Sequence, residues 1–245
     1  MSSTIPTIEQ QAKYYDKWNQ LCRTGGFFDL PPEQRRHTGK ILELFCSLDL
    51  VNPAILELGC GTGWLLTLLG QFGACTGIDL SQEAIRFAKQ RGSNATLLAG
   101  DFLTTDLPKA HFDVCISVAV VAYFTDQPAV FAKVASHLKP GGYILLTTNN
   151  KFVFDRRSDV PPTEDGQFRN WLTVSQVRAL LAPHFDVLYL ETIFPSGHCG
   201  VLRLVNSVKL NALLNLVFSK NTIKRVKERL GLGEGIVVLA RRKPS

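Results

Sequence analysis

The chain has 245 residues, 45% hydrophobic and 20% charged, which suits one large globular domain with additions. No apolar run is long enough to span a bilayer, and the N-terminus, MSSTIPTIEQQ, has neither the basic nor the apolar region of a secretory leader. The expectation is therefore a soluble, cytoplasmic protein without stable membrane insertion. The net charge of +6 is unevenly placed: residues 201–245 hold ten Lys or Arg against Glu228 and Glu234, while residues 1–200 hold seventeen against nineteen acids. That basic region could steer an anionic substrate, touch acidic lipid or nucleic acid, or form a solvated helix face.

In chain order, residues 7–22 read as a helix carrying Tyr14, Tyr15 and Trp18. Gly25-Gly26 and Pro31-Pro32 break it, and a second helix over 33–48 opens with Arg35, Arg36 and His37. Strands are predicted near 54–58, 74–79, 95–99, 112–117 and 142–148, with helices near 63–70, 82–91 and 127–138 between them. Ser81 caps the 82–91 helix, and Thr173 with Gln176 forms a capping box for another that ends at Pro183. Strands follow at about 185–193 and 235–241. Six cysteines without C-x-x-C spacing, Cys75 and Cys115 among them inside apolar strands, read as buried reduced thiols rather than disulfides or a metal site.

The chemistry is concentrated where the first strand, Ala54 to Leu58, runs into Gly59, Gly61 and Gly63 before an apolar helix. Such a turn brings backbone close to a ligand at a helix N-terminus, as a nucleotide site requires. A dinucleotide site wants G-x-G-x-x-G, but position 64 is Trp, too large for the close packing of a third glycine there. With Glu57 two positions before the first glycine and Asp79 ending the second strand, the stretches ELGCGTG and GIDLS resemble the motifs of class I S-adenosylmethionine (SAM) dependent methyltransferases. AGDF, HFDVCISVAVVAYFTD and LKPGGYILLTT continue the likeness over roughly residues 53–150.

That resemblance implies a doubly wound seven-stranded α/β sheet, mostly parallel with an antiparallel last strand. Residues 1–52 would add N-terminal helices as a lid, residues 53–193 the SAM-binding core, and residues 234–245 the last strand and tail. In the family a short hairpin joins the last two strands; here residues 194–233 intervene as a helical insertion, expected to cover the substrate site at the carboxyl edge of the sheet. A dimer contact or a membrane-surface helix is the alternative role. The implied cofactor is SAM, with S-adenosylhomocysteine as product and no metal. Tyr14 would close over it, and the glycine turn with Cys60 and Glu57 would hold its amino acid end. Asp79 and Leu80 would meet the ribose, Asp101 and Phe102 the adenine, and Ser117 and Val118 the methionine part.

Methyl transfer from a sulfonium is an in-line displacement in which alignment supplies much of the rate, and a general base is needed only for an acceptor that arrives protonated. His111, His137 and His184 precede strands, on the edge away from the site. His198 and His37 fall on the site side, so His198 is the candidate base, with Tyr123 after strand four as a second proton acceptor. His37, Tyr123, Arg156, Arg157 and His198 are the candidate substrate contacts, the arginines for a carboxylate. Segment 117–120, Ser-Val-Ala-Val, lacks the Pro-Pro-aromatic and Pro-Cys signatures of DNA methylating enzymes of this fold, so DNA is not expected as a partner. The expectation is O-methylation, at carboxyl or hydroxyl, of a small molecule or short peptide, by a chain that could form a homodimer. N- or C-methylation, an RNA or protein substrate, and a non-catalytic SAM-binding subunit are the alternatives.

Overall fold

The computed structural model describes residues 5–22, 32–92 and 94–244; the break expected at Gly25-Gly26 and Pro31 lies outside them. Two helices, α1 (Ile8–Cys22) and α2 (Pro32–Cys46), precede a seven-stranded sheet of order β3-β2-β1-β4-β5-β7-β6. Its strands are β1 (Ala54–Leu58), β2 (Ala74–Asp79), β3 (Thr96–Ala99), β4 (Phe112–Val118), β5 (Leu138–Asn149), β6 (Phe185–Pro195) and β7 (Gly233–Arg242). β1 to β5 pair in parallel, while β7 lies antiparallel between β5 and β6, which is the mixed, doubly wound sheet expected.

The helices between strands are α3 (Trp64–Leu69), α4 (Gln82–Gln90), α5 (Gln127–His137), α6 (Lys151–Phe154) and α7 (Val174–Leu181). Central strands buried on both faces explain the near-continuous apolar runs of the sequence. Alternate residues feed two cores: Leu56, Leu58 and Cys115 pack on one face with Phe131 and Val134 of α5, and Ile55, Val114 and Ile116 on the other with Ile41 and Phe45 of α2. Helix starts follow their local signals. Ser81 Oγ accepts from Ala84 N, Asp126 caps α5, and Thr173 and Gln176 form the reciprocal capping box. Among the described cysteines, Cys60, Cys75 and Cys115 are buried free thiols, Cys199 is half-buried and Cys46 exposed.

Residues 194–233 follow β6 as the helical insertion expected. They form α8 (Val201–Val205), α9 (Val208–Leu214) and α10 (Lys220–Arg229), with α10 packed along β6 at the sheet's outer edge. No described helix is long and apolar enough to cross a membrane.

Candidate active site

The carboxyl ends of β1, β2 and β4 meet at one edge, with Leu58 paired to Ile78 on one side and to Ser117 on the other. A cavity of about 380 Å³ opens there, walled by those strand ends, by α1 and by the start of α2.

Its floor is the glycine turn. Gly59, Gly61 and Gly63 have φ of +71°, +52° and +72°, the left-handed region that side chains disfavour. A Cβ on Gly59 would lie 2.4 Å from Val120, and one on Gly63 would lie 2.8 Å from Ala88 Cβ, so both are held by packing. Gly61 faces open space on the cavity side. The turn's own N–H groups are engaged internally: Gly59 and Cys60 donate to Ile78 O, Gly63 to Cys60 O, and Gly61 to Asp79 Oδ2 at 2.8 Å. Any backbone donors left for a ligand carboxylate would therefore come from the start of α3.

Asp79 instead ties the two turns together, since its Oδ1 accepts from Ser81 N at 2.9 Å. Ionised oxygens have further lone pairs, so both can still accept from vicinal hydroxyls. Glu57, on β1, is buried, lines the cavity, and has no hydrogen-bond partner at Oε2. Burial first, and then the charge of Asp79, pushes its carboxyl well above the ordinary range. An unpartnered buried carboxyl facing a cavity fits an ammonium ligand such as the amino end of SAM. Asp101 accepts from Leu103 N in an Asx turn, and with Phe102, which meets Phe124 edge-on, it forms another wall. Val118, Leu80 and Ala119 also border the cavity. Ala119 has φ +58°, a strained conformation at the end of β4.

Helix α1 closes one side. Its Asp16 accepts from Ser81 Oγ at 2.7 Å and from Glu83 N, docking α1 on the start of α4, and Tyr14, Tyr15 and Trp18 then face the cavity. Tyr15 stacks edge-on between Tyr14 at 5.1 Å and Tyr123 at 5.8 Å. Its hydroxyl is buried without a partner, and burial raises its pKa, so it stays a neutral donor. His37 of α2 is 1% exposed, and both ring nitrogens lack partners. It fits because Gly235 of β7 has no side chain: a Cβ there would meet the imidazole. Burial, reinforced by Arg36, lowers the His37 pKa to about 4.

The structure thus gathers most of the residues that the sequence singled out. Tyr14, His37, Glu57, Gly59, Cys60, Gly61, Asp79, Leu80, Asp101, Phe102, Val118 and Tyr123 line one cavity; Gly63 caps α3 behind it, and Ser117 is buried just before Val118. Arg156, Arg157 and His198 do not border it. Arg156 lies over the Phe152 ring and bonds Phe152 O, Arg157 pairs with Asp159 and Glu234, and His198 Nε2 shares a 2.7 Å hydrogen bond with Ser158 Oγ. No residue of 194–233 borders it either, among the described residues. Tyr15 as a polar wall escaped the sequence reading, although its place beside Tyr14 at one end of a helix was the available signal.

Residues 56–146 match a family model described as a methyltransferase domain. A malonyl-[acyl-carrier protein] O-methyltransferase of Serratia marcescens is 28% identical over 212 residues, covering 85% of this chain and 81% of that protein. The solved structure of an S-adenosylmethionine dependent methyltransferase from Mesorhizobium loti matches with a TM-score of 0.58 at 20% identity, covering 84% of this chain and 100% of that one. The [4+2]-cyclase SpnF matches with 0.66 at 17%, covering 99% and 98%. At such identities the structural likenesses speak for the fold alone, and the cyclase illustrates that a fold does not fix a reaction.

Proposed function

The chain carries a class I SAM-dependent methyltransferase domain, and on that footing we propose that it methylates a carboxylate oxygen of a small, largely apolar acid. The observation that carries this is that His37 and Tyr15, both in the cavity wall, have buried, neutral, unpartnered polar atoms. No Lys or Arg lines the cavity among the described residues.

The cofactor, when bound, supplies a methyl group on an already activated sulfonium. Glu57 would take its ammonium, Asp79 its ribose hydroxyls, and Asp101 with Phe102 its adenine. Val118 and Ala119 would border the methionine part. On the acceptor side, a hydroxyl would need a base near neutral pKa, and a histidine held near 4 is a poor one. A carboxylate arrives ionised and needs only orientation, which the Tyr15 O–H and one His37 N–H provide. Charge-assisted hydrogen bonds are roughly twice as strong as neutral ones, so esterification weakens both contacts and favours release of the product. The Serratia relative is named for malonyl-[acyl-carrier protein], and a malonyl group ends in such a carboxylate.

The test is methyl-labelled SAM with the purified chain and candidate acids, followed by mild base: an ester releases the label as methanol. Label stable to base would place the methyl on a hydroxyl, amine or carbon acceptor and refute the carboxylate reading. For the residues, His37→Leu and Tyr15→Phe are each expected to lower kcat/KM about 10–100-fold by removing a hydrogen bond to a charged acceptor. His198→Ala is expected to stay within about twofold, since surface changes away from a site cost little. Because His37 is already neutral well below pH 6, kcat/KM should show no step near pH 6.5. A step there that His37→Leu abolishes would count against this assignment.

A further inference from the structure

The helices α8 to α10 are built inside out for a water-exposed segment. Their inner side is held largely by polar contacts: Asn206 donates to Ser196 O and Gly197 O, Lys227 donates to Asn206 and Asn211, and Glu228 accepts from Phe194 N. Leu202 is buried, but α9 and α10 have no buried residue at all. Of the seventeen exposed large hydrophobics among the described residues, ten lie between 201 and 230. An amphipathic helix on a protein surface does the reverse, and clustered exposed apolar side chains mark an interaction surface.

Charge follows the same segment. Residues 201–230 contain seven Lys or Arg and the single acid Glu228, which leaves twenty of each sign in the rest of the chain. The whole net charge of +6 therefore resides there. Glu228 and Lys227 are turned to the inner contacts, whereas Arg203, Lys209, Lys220, Lys224, Arg225 and Arg229 are exposed.

We propose that α8 to α10 dock the protein on the surface of an anionic lipid bilayer. The tip between α9 and α10, Leu216-Val217-Phe218, would enter the headgroup region, with Lys209 and Lys220 beside the lipid phosphates. Those three consecutive side chains are 81%, 77% and 50% exposed, and Val208 at the start of α9 is 85% exposed. Consecutive residues of a turn point in different directions, so a rigid protein surface packs one of them and leaves the others wet. A fluid interface surrounds them all. Apolar anchors flanked by cations, on helices far too short to span, are the pattern that binds in the plane of such an interface. The segment leaves β6 at Pro195 and returns at Gly233, whose strand neighbour Gly235 pairs with Asn149 at the cavity wall. Docking would therefore bring the ligand edge of the sheet toward the lipid, where an acid with an apolar body would be concentrated.

The inference rests on the surface alone and is tested without catalysis. The intact chain is sedimented with phosphatidylcholine vesicles, pure or with about one third phosphatidylglycerol, at about 0.1 M and about 0.5 M salt. Binding to the anionic vesicles only, released by salt, is expected. The triple variant Leu216→Ser, Val217→Ser, Phe218→Ser and the double variant Lys209→Glu, Lys220→Glu should each lower the partition at least about tenfold. SAM binding and the melting temperature of both variants serve as folding controls. Equal binding to neutral vesicles, no sedimentation, or wild-type partition of either variant would overturn the proposal. So would a dimer, or a complex with an acidic carrier protein, that the triple variant dissociates while vesicles are ignored.

Discussion

Asp79→Ala is expected to lower SAM affinity at least about a hundredfold and the melting temperature by several degrees. The carboxylate does two things at once. Its oxygens receive the Gly61 and Ser81 N–H groups at 2.8 and 2.9 Å, holding the glycine turn against the start of α4, and the residue also lines the cavity, where its remaining lone pairs would meet the proposed ribose. Hydrogen bonds to charged groups are worth roughly 1.5–3 kcal/mol each, and a domain of this size loses roughly 2–4 °C per kcal/mol. Asp79→Asn should fall between, because one amide oxygen still accepts while the NH₂ confronts a backbone donor. Calorimetric titration and thermal melts measure both effects. Affinity of the alanine variant within about threefold of wild type would remove Asp79 from the cofactor site.

Glu57 makes the second large prediction. Its folded pKa is raised by burial, so the free protein holds a proton there at pH values where an ordinary carboxyl has lost it. An ammonium set against Oε2 favours the ionised form, and SAM binding should release a proton from this site. Titrations in buffers of different ionisation enthalpy should show that release in the wild type and its loss in Glu57→Gln, with affinity reduced roughly 10–100-fold. The same shift has a sign for stability. With the folded pKa above the unfolded one, the favourable contribution is complete below the unfolded value and is lost as pH rises toward the folded one. The ligand-free wild type should thus melt lower than Glu57→Gln at pH 8, with the gap narrowing as pH falls and closing only below about pH 4. Equal proton release from both proteins would show that Glu57 is not the titrating group.

Much of this site was legible because its signals are local. A glycine turn between an apolar strand and helix, acids at strand ends and a capping box each depend on a few adjacent residues, and the structure sets all of them where their spacing implied. His198 and the arginine pair were harder. They follow β6 and β5 in sequence and so belong by rule to the ligand edge, yet they do not line the cavity, and His198 bonds Ser158 while Arg157 pairs with Asp159 and Glu234. Nothing in their local sequence distinguishes a loop residue facing a cavity from one facing its own neighbours.

The elements, the doubly wound class and the nucleotide-type turn are all readable from short windows of the chain, since each follows from periodicity and backbone preference. Which distant residues share a wall depends on how the folded chain brings its elements together. Folding set His37 of α2 against Gly235 of β7, nearly two hundred residues later, and Tyr15 of α1 against Tyr123. It also placed β7 between β5 and β6 and left the apolar side chains of α9 and α10 facing outward. Such outcomes depend on strand order and on which of two possible faces finds a neighbour, and an apolar residue carries the same local signature whether a core or another surface is to cover it.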